Sequence, residues 1–232
     1  MVHLRWAVCL GVTVWLGILS TDATAAYLFR GTGGTPNYLI VTTDFAETTL
    51  STATNPIDPG SNNQGWWSHD ARTNSNGNDS FEFDRFPAQN NYFTFDISAL
   101  STPTVTGLVL NIQHPGANFC PMGYYLYDVS TAPTTLATKI DNPNEAIFHD
   151  LGSGKLYGKQ GIPQVNLPEY WIPLNADAVA DLNQAILQGD TYFSVGGTGW
   201  IPEPSTVVLS AMGGLVLMGL QVRRRKRLPG GC

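Results

Sequence analysis

The sequence predicts an all-β domain: an antiparallel β-sandwich of jelly-roll type with one short helix. Two observations carry this prediction. Charged residues make up only 13% of the chain, whereas aromatic residues reach 11% and glycine occurs 24 times. Short segments of alternating apolar and polar residues also recur between clusters of Gly, Asn and Pro, which is typical of strands joined by turns.

Six segments carry the strand signal. They are residues 38–43, 92–97, 105–114, 124–129, 170–174 and 192–195. The third is the clearest, because Leu108, Leu110 and Ile112 alternate with more polar neighbours, as expected for a strand with one buried face. No repeat of fixed period occurs, so the pattern favours a sandwich over a propeller or solenoid.

One helix is predicted between the last two strands. Asn175 is suited to cap its first turn, and Asp177 places a negative charge near its positive N-terminal end. Gly189 is placed to end it. The apolar residues between them have the spacing of one helix face: Val179, Leu182 and Ile186.

The charge of the central region limits what it can bind. Between residues 27 and 200 the chain has six Lys and Arg against 16 Asp and Glu, a net charge of −10. A surface this acidic repels phosphate backbones, so we expect no nucleic-acid partner. The acidity suits solubility and the attraction of divalent cations.

Residues 1–25 have the pattern of a signal peptide. Arg5 precedes an apolar run over residues 6–19, and Ala23 and Ala25 supply the small side chains that signal peptidase requires. The apolar run is short for a membrane span, which needs about 20 residues. We therefore expect secretion, cleavage before Ala26 and an exported β-sandwich domain over residues 26–200.

Residues 201–228 combine three features in order. Pro202, Glu203 and Pro204 form a motif that resists regular structure. Residues 207–222 form an apolar run that would rise about 24 Å as a helix, slightly less than the thickness of the hydrocarbon core, and we predict that it is a transmembrane helix. A basic cluster follows, and it should remain in the cytoplasm. Its members are Arg223, Arg224, Arg225, Lys226 and Arg227.

This ending resembles the PEP-CTERM sorting signal of Gram-negative bacteria, with Ile201 where that family prefers Val. The resemblance implies an inner-membrane precursor that exosortase processes, and then display at the cell surface or in extracellular material that contains polysaccharide. Four short sequence segments of the central region also resemble domains that accompany this tail. They are residues 91–97, 127–131, 150–154 and 193–197. The alternative for the ending is an ordinary single-span anchor.

No set of residues converges on a catalytic pattern, so we predict that the protein is not an enzyme. His69, His114 and His149 lie in separate segments without the spacing of a zinc motif, and His149 is expected in a loop. No serine lies in a nucleophile-elbow motif. No cofactor is predicted apart from the calcium considered next.

The region 55–84 leaves alternatives open. Its many Asp and Asn oxygens, with Asp70 and Asp79 as candidate ligands, suit calcium. The spacing fits no EF-hand, however, and a solvated, turn-rich loop is the simpler explanation. Trp66 and Trp67 in the same region are candidates to stack on a sugar ring or to cap the core.

Two functions follow from these observations. The first is a non-catalytic surface or matrix protein associated with exopolysaccharide or biofilm. The second is a carbohydrate-binding module, assisted by calcium. The second requires exposed aromatic rings beside polar groups in a groove.

Overall fold

Strands dominate the part of the chain that the computed structural model describes. That part comprises residues 28–31, 35–58, 62–69, 74–75, 82–84, 88–101, 104–113, 115–117, 122–138, 145–163 and 167–200. The predicted signal peptide and sorting tail lie outside it. Its strands are β1 (Leu28–Gly31), β2 (Tyr38–Thr43), β3 (Glu47–Ser51), β4 (Gln64–Ser68), β5 (Asn74–Ser75), β6 (Glu82–Asp84), β7 (Gln89–Asp96), β8 (Val105–Gln113), β9 (Pro115–Ala117), β10 (Met122–Asp128), β11 (Leu156–Ile162), β12 (Glu169–Leu174) and β13 (Tyr192–Trp200). Its helices are α1 (Pro133–Leu136), α2 (Glu145–Leu151) and α3 (Ala176–Gln188).

These strands form two main antiparallel sheets. The large sheet has the order β11-β10-β13-β7-β4-β5, and the small sheet has the order β12-β8-β2-β3. A third, three-stranded sheet has the order β6-β1-β9. The chain crosses repeatedly between the two main sheets, because strands that follow each other in sequence often lie in different sheets. The antiparallel all-β prediction is confirmed, and the two main sheets are arranged as a β-sandwich.

The main core lies between the two sheets. Leu108, Leu110 and Ile112 of β8 are all buried, which confirms their predicted role as one apolar face. Phe93 and Tyr124 face them from the large sheet and are fully buried. Their burial removes large aromatic surfaces from water, which is the main favourable term in folding.

Helix α3 closes one end of the sandwich, and its bounds were predicted correctly. The side chain of Asn175 accepts hydrogen bonds from the backbone N–H groups of Asp177 and Ala178, at 3.1 and 3.2 Å. Gly189 ends the helix in the left-handed conformation, with a φ of 74°. Leu182 is fully buried and belongs to the main core.

A second hydrophobic cluster covers the outer face of the large sheet, where α1 and α2 pack. It consists of the buried residues Trp67, Tyr92, Leu136, Ile147 and Leu151. We call this part the outer layer. The described structure therefore has helices on a sheet face that a simple sandwich would leave to solvent.

Three predictions about local structure were wrong. The prediction of a single helix missed α1 and α2, since seven or fewer residues are too few to show a helical period. His149 lies within α2 and not in a loop. The region 55–84 is not a single loop, because it contains β4, β5 and β6, and β4 pairs with β7 inside the large sheet.

Asp150 joins α2 to the loop after β10. Its carboxylate accepts hydrogen bonds from the backbone N–H and hydroxyl groups of Ser130 and Thr131, at 2.6–3.3 Å. Burial alone would raise the pKa of Asp150, but these hydrogen bonds outweigh it and hold the pKa below its usual value. The ionised carboxylate therefore stabilises the outer layer.

We expect Asp150→Ala to lower the free energy of unfolding by about 2 kcal/mol, because it removes charge-assisted hydrogen bonds. Thermal unfolding of the full-length chain in detergent measures this loss. Because the pKa of Asp150 is lower in the folded state than in the unfolded state, its carboxylate stabilises the fold fully at pH values above the unfolded-state pKa. The difference in stability between the variant and wild type should therefore be largest at neutral pH. It should shrink as the pH falls below about 4, through the lower folded-state pKa. A difference that does not change down to pH 3 would contradict the role given to the charge.

Candidate functional site

An open groove of about 620 Å³ runs beside α3. Its walls come from α3, from the start of β13, from the residues around the start of β11, and from the end of β10 with the loop that follows it. We call it the α3 groove. Its lining includes Asp128, Thr131, Lys155, Tyr157, Asp181, Gln184, Gln188, Asp190 and Tyr192.

Three polar side chains that are hydrogen-bonded to one another, Lys155, Tyr157 and Asp181, line part of the groove. The Lys155 ammonium donates to both carboxylate oxygens of Asp181, at 2.8 and 2.7 Å, and the Tyr157 hydroxyl donates to the same carboxylate at 2.8 Å. The hydrogen bond with Asp181 raises the pKa of Lys155, so this amine is charged at neutral pH. Burial, and then the hydrogen bond to Asp181, raise the pKa of Tyr157. The phenol therefore stays neutral and acts as a donor.

The same groove also offers polar side chains that no protein partner occupies. Gln184, Gln188 and Asp190 are exposed. Among the described residues, their side chains have no hydrogen-bond partner. Tyr192 lines the same groove and is half-buried. Hydroxyl-rich ligands need donors and acceptors beside an aromatic surface, and this set provides them.

The two tryptophans predicted as ligand-binding residues occupy different environments. Trp67 is fully buried in the outer layer and offers no ring face to solvent. Trp66 is half-buried on the neighbouring position of β4 and does not line the α3 groove. Trp67 therefore covers a hydrophobic cluster, which is the core-capping alternative of the sequence analysis.

The predicted metal residues Asp70 and Asp79 lie outside the described residues, as do Pro202, Glu203, Pro204 and the basic cluster. Asn63, from the same region, is buried. Its side-chain oxygen accepts a hydrogen bond from the Ile57 backbone at 2.8 Å. This oxygen organises the loop itself.

The structure brings together two histidines that the sequence analysis kept apart. Nε2 of His69 lies 2.8 Å from Oε1 of Glu145, and Nε2 of His149 lies 3.4 Å from the same oxygen. These hydrogen bonds lower the pKa of Glu145. The spacing of Glu145 and His149, four residues apart on one helix face, is a signal that a helix prediction at this position would have exposed.

The comparisons with known proteins identify the end of the chain. The family model of the PEP-CTERM protein-sorting motif matches residues 201–226. Comparisons with curated proteins and with solved structures give no match. Within the described part of the chain, no helix has the length and apolar character to span a membrane, and the predicted span over residues 207–222 lies outside that part.

The match confirms the resemblance that Pro202, Glu203 and Pro204 suggested. It covers the motif, the apolar run and most of the basic cluster, and it leaves the β-sandwich unassigned. The chain therefore carries a PEP-CTERM protein-sorting motif, which marks it as an exported protein that exosortase sorts and whose membrane-anchored precursor is processed to the cell surface.

Proposed function

We propose that the exported domain is a non-catalytic surface or matrix protein that associates with extracellular polysaccharide through the α3 groove. The observation that carries this proposal is the unpartnered polar side chains of Gln184 and Gln188 on α3, with Asp190 just after the helix, in an open groove that Tyr192 also lines. An open groove accepts an extended chain, whereas an enclosed cavity would admit only a small molecule.

The chemistry of the lining fits sugar hydroxyls. The amides of Gln184 and Gln188 can each donate and accept, and the carboxylate of Asp190 accepts. A sugar hydroxyl also donates and accepts, so each of these side chains can pair with it. The half-buried ring of Tyr192 supplies apolar surface for the C–H face of a sugar.

The charge of the groove favours one class of polysaccharide. Asp128, Asp181 and Asp190 supply three carboxylates, against the one ammonium of Lys155. The domain around them is also acidic. An anionic chain would be repelled, so the lining favours neutral polysaccharides and those that carry free amino groups.

The test uses the full-length chain in detergent and three immobilised polysaccharides: a neutral glucan, chitosan and alginate. We expect binding to the glucan or to chitosan, and little binding to alginate, which carries carboxylates. The double variant Gln184→Ala, Gln188→Ala should weaken binding about 5–30-fold, because two net hydrogen bonds are lost. Alanine favours a helix, so the variant should keep its fold.

Gln160→Ala is the matched control. Gln160 lies on β11, does not line the groove, and its amide donates to the Gly161 carbonyl at 3.0 Å. This variant should bind as wild type does. Equal binding by the control and the double variant would show that the α3 groove is not the polysaccharide-binding site. Release of reducing ends from any polysaccharide would refute the non-catalytic assignment.

A further inference from the structure

Two imidazoles and one carboxylate meet on the surface of the outer layer. Ligand atoms of His69, Glu145 and His149 all lie within 4.8 Å of one another. We propose that these three residues form a binding site for a divalent transition-metal ion, with Zn²⁺ as the best-matched ion. The site is separate from the α3 groove, and the proposal does not rest on polysaccharide binding.

The three ligands come from two elements whose relative position is fixed. His69 directly follows β4, and its backbone N–H donates to the carbonyl of Ala88, the residue directly before β7, at 2.8 Å, which holds His69 beside the start of β7. Helix α2, which carries Glu145 and His149, is held to β7 because the Asn90 amide donates to the Phe148 carbonyl at 2.8 Å. The ligand set is thus assembled before any ion arrives, which lowers the entropic cost of binding.

Phe148 orients both imidazole rings. Its ring makes an edge contact with His69, with centroids 5.2 Å apart, and another with His149 at 5.4 Å. The two imidazoles contact each other at 5.9 Å and 74°. An apolar ring beside the two histidines restricts their rotamers, as the surroundings of a metal site must do.

The spacing is close to that of a tetrahedral zinc site. Zinc bonds of about 2.0–2.2 Å at tetrahedral angles place neighbouring N and O ligand atoms about 3.3 Å apart. The separation of His149 and Glu145 is 3.4 Å, and that of His69 and Glu145 is 2.8 Å. A bound ion would replace the hydrogen bond between His69 and Glu145. The two ligand atoms would move about 0.5 Å apart, a shift that these exposed side chains can make.

The donor types select the class of ion. Imidazole nitrogens suit Zn²⁺, Co²⁺, Ni²⁺ and Cu²⁺, whereas Ca²⁺ takes six to eight oxygens. The side chains of His69, Glu145 and His149 are 38%, 66% and 61% exposed. Three protein ligands at an open surface leave a coordination position for water, so the ion should exchange readily.

The test titrates ZnCl₂, CoCl₂ and CaCl₂ into the full-length chain in detergent. At a hundredfold excess over its dissociation constant, Zn²⁺ should raise the melting temperature by roughly 5–10 °C. Bound Co²⁺ should show the visible absorption of a four-coordinate ion. The double variant His69→Ala, His149→Ala and the single variant Glu145→Gln should each lose these responses, and Ca²⁺ should leave the absorption of bound Co²⁺ unchanged.

Glu47→Gln is the matched control, because Glu47 is an exposed carboxylate on β3 outside the triad. It should respond to zinc as wild type does. All three ligands are exposed, so circular dichroism should show that every variant is folded. Zinc responses of equal size in wild type and in the triad variants would overturn the proposal, because the ion would then bind elsewhere. A wild-type protein that does not respond to Zn²⁺ or Co²⁺ would overturn it as well.

Discussion

Replacing Gly196 by alanine should lower the free energy of unfolding by about 3 kcal/mol, with a fall in melting temperature of roughly 6–12 °C. A Cβ atom at position 196 would lie 2.5 Å from the carbonyl oxygen of Leu151 and 2.9 Å from its Cα atom. Both atoms belong to the backbone of α2, so no side-chain rotation can make room. The helix would have to move away from β13.

The control for this variant is Gly161→Ala. An added Cβ atom at Gly161 meets nothing within 4 Å, although this glycine also lies in the large sheet. Its thermal unfolding should match that of wild type within about 0.5 kcal/mol. If the two variants unfold at the same temperature, α2 does not pack on β13 as closely as described.

Gly197→Ala should destabilise the main core by a similar amount, about 3 kcal/mol. A Cβ atom here would collide with the hydroxyl of Tyr124 and the side-chain oxygen of Asn91. These two atoms form a hydrogen bond of 2.6 Å, and both residues are fully buried. The methyl group would separate them, and each polar atom would lose its partner away from water.

The variant Tyr124→Phe separates the cost of the broken hydrogen bond from the cost of the steric collision. It removes the hydroxyl and leaves space next to Gly197, so its cost should be about 1–2 kcal/mol, for the unpaired Asn91 oxygen alone. The double variant Tyr124→Phe, Gly197→Ala should lose less than the sum of the two single changes, because the residues are in contact. Strict additivity in urea unfolding would contradict the collision.

Strands with one buried face were predictable, and short or polar elements were not. The alternation of Leu108, Leu110 and Ile112 reports burial directly. β3 could not be found in this way, because among its five residues only Leu50 is buried. β4 was hidden in a region rich in Asn and Asp, since Asn63 and Gln64 at its start are buried polar residues that form hydrogen bonds.

The candidate sites needed three-dimensional information for a different reason. His69 and Glu145 are 76 positions apart in the sequence, and no local pattern predicts that β4 and α2 become neighbours. The α3 groove has the same origin, because Asp128 and Gln184 come from separate elements. Only the sorting motif, which is read along a continuous segment, was recognisable in full from the sequence.

The four short segments singled out in the central region, residues 91–97, 127–131, 150–154 and 193–197, lie together in the fold. Asp150 of one segment accepts hydrogen bonds from Ser130 and Thr131 of another. Gly196 of a third gives the close approach to Leu151. These residue types are explained by the packing of the outer layer on the large sheet.

The position of β13 determines how the domain bears mechanical load. Its last residue, Trp200, directly precedes the sorting motif, and the strand pairs with β10 on one side and β7 on the other. A pull on the tail therefore acts along a strand held by two ladders, and it loads their hydrogen bonds in shear. They must break together, whereas an edge strand could be peeled one bond at a time. Residues 201–206 reach at most about 20 Å, so drag on a tethered precursor passes almost directly into this strand.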